Sequence, residues 1–459
     1  MNVDTLIQGG AIVTPERSID GNIAIKDGKI AAVTDADSVP RAEEVVDAAD
    51  KLVMPGVVDP HVHIDGHNSR DSYVTGTKAA ALGGVTSCIN FAWEGWNDER
   101  RAWDGDVTLQ EAVERQIEKG DDSLIDFGLH GTITRGDPTV LTELETLVED
   151  GVTSFKMFTA YEFGLTNGFI NRVLNRVAET EAVAVFHTED ESVCAELTAE
   201  LESSGKGHPR HYPSSRPDYA EAMAADSALR MAREAGAKYY GVHTSCEEAG
   251  RVLESYQQDG SRVRAETCTH YLTLDESAYE TSGTLPVIAP PLRTSRDQER
   301  LFDQLESGAL SVVSTDHVAT KRASKEVKNW WETSFGANSL QYSLPVFYDE
   351  AVNRRGFSRP FLVRLMCSNP AKTFGLSQKG TLEPGTDADI VIFDPDAEYT
   401  IDATRNASIA DYTIYDGRTV TGKVDRTYLR GELIAKDGAT TVEPGYGSFV
   451  ERDIPSWSA

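Results

Sequence analysis

The feature that most constrains the fold is a repeated alternation of short, β-branched segments with longer amphipathic segments. Helical patterns such as 139–151 and 218–237 fill the intervals between the predicted strands. Eight strand–helix units over roughly 300 residues predict a (β/α)8 TIM barrel, which is an α/β fold. The strands are predicted near residues 57–63, 85–91, 125–133, 153–158, 182–187, 239–243, 262–268 and 310–315.

An open, doubly wound sheet is the alternative arrangement of alternating strands and helices. That fold usually places a glycine-rich phosphate-binding turn directly after its first strand. Here the first predicted strand runs through "VVDPHVH", residues 57–63, which contains no glycine. The sequence therefore favours the barrel over the open sheet.

Both ends of the chain carry a different pattern, in which apolar and polar residues alternate as in exposed strands. In residues 11–35 the pair Asp27-Gly28 predicts the tight turn of a β-hairpin. The segments 379–401 and 427–440 show the same strand pattern. We therefore expect a small β-sandwich domain built from residues 1–54 and 380–459, and a barrel domain from residues 55–379.

The composition indicates an acidic cytoplasmic protein. The 459 residues include 74 Asp and Glu against 44 Lys and Arg, a formal net charge of -30. Such a surface repels nucleic acids and anionic membranes.

Five scattered cysteines without CxxC spacing indicate reduced thiols. No apolar run reaches the roughly 18–20 residues of a membrane span, and no secretion signal is evident. We expect neither a nucleic-acid nor a membrane partner.

Two histidines stand at the end of the first predicted strand. His61 and His63 flank Val62, and alternate residues of a strand point to the same face. At the carboxyl end of a barrel strand both imidazoles would project into the mouth, where barrel active sites lie. Two imidazoles on one face can form half of a metal site. The pair alone does not distinguish a metal site from two histidines that have other roles at the end of a strand.

Three further predicted strands end in side chains that fit the same role. His187 ends the fifth strand, His243 ends the sixth, and Asp316 ends the eighth. A single histidine at a strand end more often caps or packs than binds a metal. Five imidazole and carboxylate groups at the same end of one barrel instead predict a metal site.

Lys156 is the unusual member of the fourth predicted strand. It lies between Phe155 and Met157 in a segment that has almost no other charge. A buried ammonium is costly, so a lysine here either reaches the surface, pairs with an acid or loses its proton. A neutral amine can take up carbon dioxide to form a carbamate, an anion whose two oxygens can bridge two cations.

The motifs around these residues resemble those of the amidohydrolase superfamily, and within it the cyclic amidohydrolases. These include dihydropyrimidinase, hydantoinase, allantoinase and dihydroorotase. The resemblance covers nearly the whole chain, because the terminal segment "KGTLEPGTDADIVIFDPDA" also matches the passage into the family's β-sandwich. The matching motifs are "PGVVDPHVH", "GTKAAALGGVTS", "GVTSFKMFTAY", "VFHTED", "VHTSCEEA", "APPLR" and "STDH".

The resemblance implies a binuclear centre, usually of zinc, with manganese or cobalt as alternatives. In such enzymes the first histidine pair and the aspartate hold one ion, and the second histidine pair holds the other. A carbamylated lysine and a hydroxide bridge the two ions, and the aspartate also acts as general base and acid. Carried over to this chain, the metal ligands are His61, His63, Lys156, His187, His243 and Asp316.

Three further residues match positions that contact the substrate in hydantoinases and dihydropyrimidinases. The resemblance implies that Tyr161 donates a hydrogen bond to the developing oxyanion, so it is expected to be catalytic as well as substrate-binding. Asn338 and Ala289 fall where the family contacts the substrate ring, largely through backbone atoms. Trp93 and Trp96 would either form an aromatic wall or pack at a subunit contact.

The expected function is therefore hydrolysis of a small cyclic amide or ureide of the dihydropyrimidine or hydantoin type. Allantoinase is the main alternative, because "APPLR" and "STDH" resemble that branch, and another cyclic imide or lactam is a further one. A scaffold relative that has lost its ligands is disfavoured by the complete ligand set. Dihydroorotase is also disfavoured, because no arginine follows His63 before Arg70. Family members are commonly tetramers or dimers, so we expect a homo-oligomer.

Overall fold

The fold is a barrel of eight parallel strands, seen in a computed structural model that describes residues 2–98 and 100–457. The strands follow one another around the sheet in chain order, so the predicted TIM barrel is confirmed. They lie within the predicted segments, apart from ends that shift by one or two residues. Their bounds are Val57–Asp59, Val85–Trp93, Asp126–Thr132, Ser154–Phe158, Val183–His187, Lys238–Gly241, Val263–Cys268 and Val312–Ser314.

The first barrel strand differs from the prediction, because it ends at Asp59 instead of continuing to His63. Pro60 follows directly and has no N–H to donate to a neighbouring strand. Beyond this break the chain forms a second, two-residue strand, Val62–His63, which pairs in parallel with His317–Val318. This short pair joins the two ends of the barrel at its mouth and is called the closure pair below.

Helices cover the outside of the barrel, as the amphipathic segments predict. The predicted helical patterns 139–151 and 218–237 correspond to helices Val140–Glu149 and Asp218–Ala235. Among the described residues, no helix is both long and apolar enough to cross a membrane. The other α-helices are Tyr73–Leu82, Leu109–Lys119, Asn167–Glu179, Glu191–Ser203, Glu247–Gln258, Thr269–Thr273, Ala278–Thr281, Ser295–Ser307, Arg322–Lys325, Ser343–Phe347, Arg359–Val363 and Asn369–Thr373.

The two ends of the chain combine in one sheet, as expected. The predicted hairpin is confirmed, because Asp27 and Gly28 join two antiparallel strands and both have positive φ angles, 50° and 74°. Strand Leu52–Pro55 pairs with the C-terminal strand Ile390–Thr400. The remaining strands of this sheet are Asn2–Val13, Ser18–Lys26, Lys29–Asp35, Arg41–Asp47, Thr419–Leu429, Glu432–Lys436 and Ala439–Thr440.

A buried ion cluster joins this sheet to the barrel. The Lys379 Nζ atom lies 2.5 Å from Asp126 Oδ2 at the start of the third barrel strand. It lies 2.9 Å from a carboxylate oxygen of Asp387 and of Asp389, just before strand Ile390–Thr400. Segment 447–452 also returns to the barrel, where Phe449 pairs with Phe127. The domain boundaries at residues 54 and 380 stay a prediction.

Candidate active site

Three of the predicted metal ligands meet at the closure pair. The Nε2 atoms of His61 and His63 lie 3.1 and 3.3 Å from the same oxygen, Oδ1 of Asp316. All three side chains are buried. Two imidazole nitrogens and one carboxylate oxygen around a common point form the donor set of a divalent cation site.

The second histidine pair lies beside the first. The His187 Nδ1 atom is 2.8 Å from the His243 Nε2 atom, and the ring of His243 lies 5.4 Å from that of His61. His187 ends the fifth barrel strand, whereas His243 follows the sixth strand by two residues. The structure therefore brings the four histidines and Asp316 into one contiguous cluster.

Lys156 lies in the same cavity, with its side chain buried. Its Nζ atom stands 5.5 and 5.0 Å from the ring centres of Phe91 and Phe158. Within the residues that the structure describes, it forms no ion pair and no side-chain hydrogen bond. Burial lowers the pKa of Lys156 to about 7, so a large fraction of the amine is neutral near neutral pH. This is the protonation state that carbamylation requires.

Two buried glutamates orient the histidines, and sequence analysis missed both. Glu266 Oε1 accepts a hydrogen bond from His61 Nδ1 at 2.5 Å, which leaves Nε2 of that ring facing Asp316. Glu189 Oε2 lies 3.0 Å from His187 Nε2 and also pairs with Arg216 at 2.5 Å. A carboxylate on the far nitrogen fixes the ring and increases its basicity as a ligand. A carboxylate inside the apolar strand "VRAETC" was the available signal for Glu266.

The electrostatics of the cluster fit a site for two cations. Burial lowers the pKa of His63 to about 4 and holds the pKa values of His187 and His243 well below their usual range, so these rings are neutral and offer lone pairs. Although burial raises the pKa of Asp316, the neighbouring His61, His63 and His243 together hold it well below its usual range. His61 differs from the other rings: although burial lowers its pKa, Asp316 and Glu266 raise it to about 9. A cation bound at His61 would therefore displace a proton from that ring.

Backbone strain marks the same residues. Tyr161, His243 and Asp316 have positive φ angles of 71°, 38° and 45°. This left-handed conformation is costly for a side chain other than glycine, by about 1–3 kcal/mol, and is found mostly where a functional geometry requires it. It turns His243 and Asp316 into the mouth just after their strands end.

The three predicted substrate contacts are placed differently from one another. Tyr161 is half-buried and lines the cavity, with its ring 5.0 Å from that of His187. Ala289 also lines the cavity. Asn338 is buried outside the lining, and its side-chain amide donates to the carbonyl of Tyr412. A substrate contact of Asn338 therefore remains a prediction for its backbone alone.

The cavity above the histidines has a volume of about 370 Å³ and a mixed lining. Trp93, Phe158 and Phe163 form an aromatic cluster in this lining. Trp96 packs edge-on against His67, with 4.6 Å between ring centres. The lining also includes the polar residues Asn68, Arg70, Thr320, Ser324 and Ser334, together with Val318, Phe335 and Gly336.

Lys325 holds the backbone of this cavity in place and was not predicted from sequence. Its fully buried Nζ atom donates to the carbonyls of Val287, Ser334 and Gly336 at 2.6, 2.8 and 2.8 Å. Val287 lies two residues before Ala289, while Ser334 and Gly336 line the cavity themselves. One ammonium therefore links two segments that surround the cavity.

Two histidines outside the predicted ligand set have well-defined partners. His317 Nε2–H donates to the Asp71 carboxylate at 2.9 Å, since Nδ1 of this ring accepts from the backbone, and His317 lies outside the cavity lining. His130 bonds to Ser154 and to the carbonyl of Pro60. His67 lines the cavity. His270 is buried, and neither of its ring nitrogens has a hydrogen-bond partner among the described residues.

A model of the amidohydrolase family matches residues 52–434, which include the barrel and every ligand described above. The chain belongs to the amidohydrolase family. Membership agrees with the resemblance found in the sequence. The family generally uses a binuclear metal centre, and the donor set of this chain fits one.

Relatives within the family match the chain from end to end. An L-hydantoinase of Paenarthrobacter aurescens is 32% identical over 460 residues, and a D-hydantoinase of Streptomyces coelicolor is 34% identical over 472 residues. Each comparison covers 98% of both chains. The crystal structure of dihydropyrimidinase from Brevibacillus agri has a TM-score of 0.93 and 30% identity, covering 99% of both chains.

Proposed function

We propose that this amidohydrolase opens the ring amide bond of a cyclic amide or ureide of the hydantoin or dihydropyrimidine type. The observation that carries the proposal is the meeting of four histidines, Asp316 and Lys156 at one cavity. Hydantoinases and a dihydropyrimidinase match the chain over nearly its whole length. These relatives favour the hydantoin or dihydropyrimidine ring over the allantoin alternative.

The chain's residues would hold two divalent cations, of which zinc is the first choice and manganese or cobalt the alternatives. His61, His63 and Asp316 would hold one, and His187 and His243 the other. Lys156, as its carbamate, would supply the bridging anion. Cations bound there would lower the pKa of a water molecule and polarise the amide carbonyl.

Asp316 and Tyr161 supply the proton transfers and hydrogen bonds of the reaction. Asp316 is ionised at neutral pH, so its carboxylate can accept the proton of the attacking water. The same carboxyl then delivers that proton to the ring nitrogen as the C–N bond breaks. Burial raises the pKa of Tyr161 far above neutral, so its hydroxyl stays protonated and donates to the oxyanion that develops on the carbonyl.

Ring-opening rates on dihydrouracil, hydantoin, allantoin and dihydroorotate test the proposal, with metal content determined on the same preparation. We expect turnover of dihydrouracil or hydantoin by protein that contains about two cations per chain. Turnover of allantoin alone would contradict the proposed ring type. A metal-loaded protein that opens none of the four rings would contradict the proposal as a whole. Homo-oligomeric assembly and a cytoplasmic location stay predictions.

A further inference from the structure

An exposed arginine belongs to the lining of the cavity. Arg70 lines the cavity, and the same lining includes the amide of Asn68 and the hydroxyl groups of Thr320, Ser324 and Ser334. Among the residues that the structure describes, the Arg70 guanidinium forms neither an ion pair nor a side-chain hydrogen bond. The guanidinium is therefore available to a ligand.

The loop that presents Arg70 is held rigidly. The backbone N–H of Arg70 donates to the carbonyl of Ala319 at 2.7 Å, just beyond the closure pair. The Arg101 Nη2 atom donates to the carbonyls of Gly66, His67 and Ser69 at 3.3, 3.4 and 3.1 Å. Arg70 therefore extends from a fixed backbone and not from a free surface loop.

The lining of the cavity carries little negative charge, unlike the protein as a whole. Asp316 is the only carboxylate among the described residues that line the cavity, and it belongs to the predicted metal site. Arg70 has no acidic partner among the described residues, whereas Asp65 and Asp98 offset the charge of Arg101 outside the lining. An anion that enters the cavity therefore meets the unpaired charge of Arg70.

Two further polar atoms beside Arg70 have no partner. Asn68 Oδ1 and His67 Nδ1 are buried and make no hydrogen bond to the part of the chain that the structure describes. Buried polar atoms are nearly always satisfied, so a missing partner at a cavity points to a ligand or to water. The imidazole of His67 can donate an N–H from Nδ1 to a ligand oxygen, whereas Asn68 Oδ1 can only accept, from an N–H of the ligand or from water.

We propose that the physiological substrate carries a carboxylate on the substituent of its ring, and that Arg70 binds this carboxylate. This inference rests on the proposed function and specifies its substrate class. With the ring amide at the histidine cluster, a carboxylate on the substituent would face Arg70, the exposed arginine of the cavity lining. Arg70 supplies the charge-assisted hydrogen bonds, and His67 supplies a neutral one.

Two hydantoins of nearly the same shape test the inference. One carries a carboxymethyl group on the ring carbon beside the carbonyl, and the other carries the corresponding carboxamide, which is neutral. We expect kcat/KM to be at least about tenfold higher for the carboxylate, the usual effect of a hydrogen bond to a charged group. Arg70→Gln should remove this preference, so that the ratio of the two kcat/KM values falls to about one.

A matched control is Arg172→Gln on helix Asn167–Glu179. Arg172 is also exposed and forms no ion pair with any described residue, but it lies outside the cavity. This variant should keep the full preference. Equal kcat/KM for the two derivatives, or a preference that survives in Arg70→Gln, would overturn the inference about Arg70. Turnover of hydantoin in the same experiment would still support the proposed function. Absence of turnover of hydantoin, dihydrouracil and both derivatives would overturn the two together.

Discussion

The Nε2 atom of His61 lies 3.1 Å from the Oδ1 atom of Asp316, across the seam where the barrel closes. The first and last barrel strands end before these residues, and the closure pair then brings them together. The predicted metal ligands therefore come from opposite ends of the barrel sequence. Because this set is complete only in the closed barrel, metal bound there would stabilise barrel closure.

Glu266→Gln tests how His61 is held in this arrangement. The substitution keeps the shape of the side chain but removes the charge that the His61 Nδ1–H faces at 2.5 Å. We expect zinc affinity to fall by about 10- to 100-fold, as is usual for a residue that orients a metal ligand. Competition with a chelator of known affinity measures it. Glu221→Gln is the control, because this buried glutamate pairs with Arg293 instead; an equal loss of affinity there would contradict the role of Glu266.

The pH dependence of metal loading tests the state of Lys156. Because burial lowers its pKa to about 7, the amine is mostly protonated below that pH and mostly neutral above it. Only the neutral amine forms a carbamate, so reactivation of metal-free protein by zinc and bicarbonate should rise with pH through about 7 and then level off. A lysine of ordinary pKa, about 10.4, would still show rising reactivation between about pH 9 and 10, and that result would contradict this account.

Tyr161→Phe tests the hydrogen bond to the oxyanion. Removing one such donor typically lowers kcat by about 100- to 1000-fold. Because the hydroxyl is proposed to act in the transition state and to bind no metal, KM and metal content should change little. Steady-state kinetics and metal analysis measure all three quantities. Tyr219→Phe, an exposed tyrosine outside the cavity, should retain full activity. Loss of metal in Tyr161→Phe would indicate a structural role instead.

Lys325→Met tests whether the buried ammonium positions the substrate-binding segments. Without its three donors, the segments at Val287 and at Ser334–Gly336 lose their common contact, so KM should rise about tenfold or more. Metal content should stay the same, because Lys325 touches no ligand. Lys238→Met is the matched control, since Lys238 is also buried but bonds to Glu181 at the opposite end of its barrel strand. If both variants had a lower melting temperature and an unchanged KM, Lys325 would stabilise the fold without positioning the substrate-binding segments.

The sequence predicted the barrel and the cluster because both depend on local patterns. Each barrel strand is a short apolar run, and the polar residue that follows it must lie at the mouth. Pro60 interrupts the first strand, however, and the two histidines reach the site through the closure pair. That pairing depends on how the last strand meets the first, which no local pattern encodes.

The residues that sequence analysis missed act through partners far away in the chain. Glu266 lies on the seventh barrel strand, but it accepts a hydrogen bond from His61, which follows the end of the first strand. Nothing in the sequence around Lys325 distinguishes it from a surface lysine. Only the structure shows that it is buried and that it donates to carbonyls of two segments around the cavity. The side chain of Asn338 donates to the carbonyl of Tyr412, a contact between distant parts of the chain that its motif does not encode.

The central claim, hydrolysis that depends on a binuclear metal centre, is tested most directly by removing and restoring the metal. Metal content and hydantoin-opening rate are measured on one preparation, before chelation, after chelation and after addition of zinc with bicarbonate. We predict about two ions per chain at the start, loss of activity with loss of metal, and recovery as two ions rebind. Undiminished ring opening by metal-free protein would contradict the account.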